Sequence, residues 1–170
     1  MSQLALYGTA IAFSFVAWGL VTAQYIWPEL RRWPRAEALR PLLILHSFRF
    51  VGLSFLVPGV VSRGLVREFA EPAAYGDLIA AVLALLALMA GLRSRLALAL
   101  VWLFSLWGTA DLLYAFYQGN RVGLEPGQLG AAYFIVIVLV PLLFITHGLV
   151  LRLLLSRDAA VAMRDREHAA

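Results

Sequence analysis

Five apolar stretches dominate this chain, at about residues 4–27, 41–61, 75–92, 96–118 and 129–155. Crossing the hydrocarbon core of a bilayer takes roughly 20 residues of helix, and each stretch is near that length. Inside a membrane the backbone must satisfy its own hydrogen bonds, so spans of this kind are helical. The pattern predicts an all-α, polytopic membrane protein: five transmembrane helices in one bundle over residues 1–156, then a polar cytoplasmic tail over 157–170. The 62% hydrophobic composition and mean hydropathy of +0.83 agree, because a soluble domain is only about 45–50% apolar.

The 14 basic residues are all Arg, and all but Arg49 cluster between the stretches or at their ends. Arg31, Arg32, Arg35, Arg40, Arg93, Arg95, Arg152, Arg157, Arg164 and Arg166 fall on one side of the predicted membrane; Arg63, Arg67 and Arg121 fall on the other. Basic loops stay in the cytoplasm, which predicts an N-out, C-in orientation. The same clustering accounts for the pI near 10.0 without nucleic acid as a partner. A Lys-free, Ala/Leu-rich composition points to a GC-rich bacterial genome and hence to the inner (plasma) membrane. The bilayer is the expected partner, with a homodimer or a larger membrane complex as further options. Ala80, Ala84, Ala87 and Gly91, at spacings of four, three and four, form a small-residue seam on which helices can approach closely.

Prolines punctuate the stretches. Pro28 and Pro34 are expected to close the first, Pro41 to open the second, Pro72 to precede the third, and Pro141 to kink the fifth. Arg93-Ser94-Arg95 leaves room only for a tight helical hairpin.

Four ionisable residues interrupt the apolar stretches: His46, Arg49, Asp111 and His147. A charge at the bilayer centre costs roughly 2.5–3.5 kcal/mol on insertion scales, so such residues face a cavity, a partner or a ligand. His46 lies five residues past Pro41, and His147 five before Arg152 on a helix of opposite direction. Both are therefore expected about 7–8 Å inside the inner boundary. Arg49 shares the face of His46, and Gln24 is a candidate for the same layer. Asp111, about 22–24 Å from the inner end of its helix, belongs to an outer stripe with Trp107, Tyr114 and Gln118; Asp77, at the expected outer start of the third helix, either tops that stripe or is simply a favourable acid at a helix N-terminus. On this reading the inner and outer groups are two sites, with Arg49 and Asp111 roughly 10 Å apart along the axis.

Three functions fit these residues. In the first, the chain is a non-enzymatic structural, interaction or ligand-binding subunit with a buried polar site. In the second, His46 and His147 are the axial ligands of a b-type haem in a redox or sensor module; no other metal site is indicated. In the third, Asp111 outside and His46, Arg49 and His147 inside mark a proton-coupled or small-solute path. No Gly-Lys phosphate loop, His-Glu-x-x-His helix or nucleophile elbow points to an enzyme. The absence of Cys excludes disulfides and thiolate chemistry.

Overall fold

The computed structural model describes residues 2–156, and within them all regular structure is helical. The expected tail, with Asp158, Asp165 and Glu167, lies outside the described residues. The elements are α1 (Gln3–Val21), α2 (Trp27–Leu30), α3 (Arg35–Ser47), α4 (Arg67–Met89), α5 (Arg95–Arg121) and α6 (Val140–Leu155). A π-helical turn, Thr22–Ile26, joins α1 to α2, and a second, Ile135–Leu139, leads into α6. A 3-10 helix, Phe48–Leu56, continues α3, and another, Pro126–Ala132, precedes the last rod. Five continuous rods, Gln3–Leu30, Arg35–Leu56, Arg67–Met89, Arg95–Arg121 and Ile135–Leu155, are long and apolar enough to cross a membrane.

Several rods begin earlier or end later than the prolines suggest. Pro34 caps α3 in an extended conformation, so the helix starts at Arg35 and runs through Pro41. Likewise α4 starts at Arg67 and runs through Pro72. A proline inside a helix removes one hydrogen bond to the carbonyl four residues back. At Pro72 that carbonyl belongs to Glu68, and the Gln118 side chain of α5 donates to it at 2.9 Å. Pro28 does not close the first rod, which runs on to Leu30, and Pro141 stands at the start of α6. Each sits just past a π turn, where the wider i→i+5 bonding absorbs the irregularity. Ahead of Pro141, Trp18 Nε1 donates to the Val138 carbonyl at 3.0 Å and fastens α1 to this break.

Helices α4 and α5 form the central antiparallel pair. Ser94 caps α5 by accepting from Ala97 N, and Ala80, Ala84 and Ala87 are fully buried along the inward face of α4. Gly91 is not part of that seam. It lies past the helix end with φ +73°, where a residue lacking Cβ turns the chain without strain. Helix α1 has no buried residue and packs on α6 and the segments before it, through Tyr7 on Tyr133 and Phe15 on Phe144.

Two apolar cores result. One, built on Leu39, Leu43, Val101, Phe104 and Val150, fills the end of the bundle nearest the α4–α5 turn. The other, built on Phe55, Phe69, Ala74, Leu129 and Val136, fills the opposite end. The ionisable residues lie between them.

Candidate functional site

Arg49 is the hub. Where α3 gives way to the 3-10 helix, side chains three apart line up, and Arg49, Gly52 and Phe55 are its buried residues. Arg49 is 1% exposed, yet every guanidinium nitrogen is engaged. Nε donates to Asp77 Oδ1 at 2.7 Å, and Nη2 donates to Asp111 Oδ2 at 2.6 Å. Nη1 donates to His147 Nε2 at 3.0 Å and to the Gly108 carbonyl at 3.4 Å. An arginine only donates, so His147 Nε2 must carry a lone pair and its proton sits on Nδ1.

The two-site picture is thereby corrected. Because α3 begins at Arg35, His46 is about 16 Å along its helix rather than 7–8 Å. It stands near mid-bundle, and Arg49 about a turn further on reaches Asp111 directly. Asp77 is not an acid at a helix N-terminus: α4 starts ten residues earlier, and Asp77 is a buried partner of the same guanidinium. Inner layer and outer stripe are one cluster.

Three glycines make the space. A Cβ on Gly76 would strike the carboxylate of Asp111, and one on Gly52 would strike that of Asp77. A Cβ on Gly108 would lie 2.6 Å from the His147 ring and 2.7 Å from Arg49 Nη1. Below Arg49, His46 and His147 pack ring to ring with centroids 4.2 Å apart, and Phe104 stacks on His147 and meets His46 edge-on. His46 Nε2 is 3.0 Å from Thr146 Oγ1, which itself donates to the Leu142 carbonyl.

These contacts do not fit a haem between His46 and His147. Axial imidazoles stand on opposite sides of a macrocycle and point their nitrogens at a metal between them. Here the rings touch, and each Nε2 is held by another group. Gln24 does not join the cluster; it is exposed on the first π turn. Of the stripe, Trp107 donates to the Gly76 carbonyl at 3.2 Å, and Gln118 is buried at the far end of α5, where it bonds Glu68 and accepts from Arg121. Tyr114 is 46% exposed and turned away from the cluster, against Tyr117.

Beside the cluster is a cavity of about 210 Å³. Its walls are apolar, with Tyr7, Phe55, Phe69 and Phe116 among them, and Asp77 and Asp111 supply its acidic surface. It lies toward the end of the bundle where α1 and α4 begin and α5 ends. Arg49 takes one oxygen from each carboxylate. The other two, Asp77 Oδ2 and Asp111 Oδ1, receive no hydrogen bond among the described residues.

A family model described as a domain of unknown function (DUF8737) matches residues 6–155. The chain belongs to this family. Searches of the curated proteins and of the solved structures find no match. The matched region contains Arg49, Asp77, Asp111, His46 and His147, so the whole cluster lies within the DUF8737 unit.

Sequence reasoning singled out every charged member of the cluster but missed its frame. Gly52, Gly76, Gly108 and Thr146 carry no individual signal, because small residues are common in any apolar helix that packs closely. The trace that exists is register: Gly108 lies one turn before Asp111, and Gly76 precedes Asp77.

Proposed function

We propose that this chain is an integral membrane protein that binds a small amphipathic ligand, with an apolar body and a cationic or hydrogen-bond-donating head, in the cavity beside Asp77 and Asp111. The observation that carries the reading is the pair of carboxylates on an apolar cavity wall, each with one oxygen left over after Arg49 is satisfied. With one guanidinium and both carboxylates ionised, the cluster would carry one negative charge in excess. A monocation offsets it, and burial in an apolar site strengthens that attraction. Pockets of this composition, mostly apolar with a few convergent polar groups, are ligand sites by default.

The test uses six-carbon probes that share one tail. With protein in lipid nanodiscs, hexylammonium is expected to raise the melting temperature by several degrees at saturation. Hexanol is expected to do less and hexanoate nothing. Equal shifts for hexylammonium and hexanoate, or none for any probe, would sink the assignment.

The same proposal sets the chain in a bacterial inner membrane with the N-terminus outside and the C-terminus inside, because the Arg-rich ends of the rods then face the cytoplasm. The cavity lies in the outer half of the bundle in that orientation. A C-terminal alkaline phosphatase fusion should be inactive and a C-terminal fluorescent protein bright; the reverse pattern would invert the topology.

A further inference from the structure

The end of the bundle opposite the cavity carries a second, chemically different recess. It is a groove of about 1050 Å³ between the α2–α3 turn, the α4–α5 turn and the end of α6. Arg31, Arg32, Arg35, Arg93, Arg95 and Arg152 line it, and among the described residues no carboxylate does. Among the described residues the nearby acids are already committed: Glu29 pairs with Arg32, and Glu37 with Arg40 and Arg93. Arg31 and Arg95 have no ion-pair partner among the described residues.

The groove is also part apolar. Trp27 and Trp33 stand in its wall, and the Arg152 guanidinium lies 4.0 Å over the Trp27 ring. A cation held on an indole face is kept in place while its N–H groups remain available to an anion. Leu30, Leu98 and Leu153 continue the wall toward the apolar rods. Arg forks match phosphate oxygens in pairs, and a recess that is basic above and apolar below matches a headgroup above its acyl chains.

We propose that this groove binds a phosphate group, borne by an anionic phospholipid whose chains run down the apolar flank. Retention of positive loops on one side of a membrane requires only an excess of Arg there, not its convergence on one concavity. Here turns from separate parts of the chain bring Arg31, Arg95 and Arg152 around one concavity. A free phosphate would meet the same guanidinium groups without the apolar flank.

The experiment compares full-length protein in nanodiscs of pure phosphatidylcholine with nanodiscs containing phosphatidylglycerol. The variants are Arg31→Gln/Arg95→Gln and, as a control at the opposite end, Arg63→Gln. Unfolding is followed by melting temperature. Wild type and Arg63→Gln should gain about 5 °C or more from the anionic lipid, and the double variant should lose most of that gain. Inorganic phosphate added to the phosphatidylcholine discs separates the sources: little effect assigns the site to lipid, and a full effect assigns it to soluble phosphate. If neither phosphate source stabilises the wild type, or if the double variant gains as much as Arg63→Gln does, the site is not there. Both arginines replaced are exposed, so folding is expected to survive. The result is independent of hexylammonium binding at the other end.

Discussion

Replacing Arg49 by Ala should be the most damaging single change in this chain. It removes the only guanidinium among the described residues of a cluster holding the buried Asp77 and the half-buried Asp111 and leaves His147 Nε2 without its donor. Breaking a buried ion pair by deleting one partner costs about 3–5 kcal/mol, because the remaining charge is stranded away from water. Here two charges are stranded. The variant is expected to melt roughly 10 °C or more below wild type, or to fail to accumulate. The diagnostic is rescue. Arg49→Ala combined with Asp77→Asn and Asp111→Asn should be more stable than Arg49→Ala alone, since neutral amides leave no uncompensated charge. Lys at position 49 should fall between, because one ammonium cannot reproduce a fork that meets two carboxylates and an imidazole. Additive losses across the set would show that the three residues do not act as one unit.

The second large effect is expected at Gly108. Its hydrogen occupies the spot where a methyl group would meet both the His147 ring and Arg49 Nη1. Neither neighbour has slack: His147 is wedged between His46 and Phe104, and Arg49 is tied at each nitrogen. Overpacking a filled interior costs typically 1–3 kcal/mol, and here the displaced groups also lose hydrogen bonds. Gly108→Ala should therefore lower the melting temperature by several degrees and weaken ligand binding together. Gly148→Ala is the matched comparison. It lies beside His147 in sequence, but its added Cβ meets nothing within 4 Å. Ala is the better helix former by about 1 kcal/mol, so this change should be neutral or mildly stabilising. Similar losses at both glycines would mean that helix propensity, not the cluster, sets the outcome.

The number of rods was legible from the sequence because apolar length is a strong signal. The inward placement of His46, Arg49, Asp111 and His147 was legible because a charge among apolar residues needs a reason to be there. Their depths were not. Pro41 and Pro72 look like helix starts, yet each lies within the first two turns of a longer helix. Moving those starts moved His46 to mid-bundle and turned Asp77 from an N-terminal acid into a partner of Arg49. The 3-10 segment carrying Arg49 was equally hidden, since nothing in Phe48–Leu56 distinguishes a spacing of three from one of 3.6. That change in period aims Arg49 between α4, α5 and α6, and it merged two expected sites into one. Gln24 and Tyr114 show the opposite failure. Polar character alone placed them with the cluster, but each points away from it.

The central claim is that the free oxygen of Asp111 is the anchor of a ligand site rather than a by-product of packing. Asp111→Asn tests it most directly, because the amide retains the shape and still accepts from Arg49 through its carbonyl while removing the excess negative charge. Hexylammonium binding to nanodisc-embedded protein, followed by saturation-transfer NMR, should be about tenfold or more weaker in the variant, with the melting temperature of the unliganded protein little changed. Equal affinity in wild type and Asp111→Asn, at equal stability, would contradict the account.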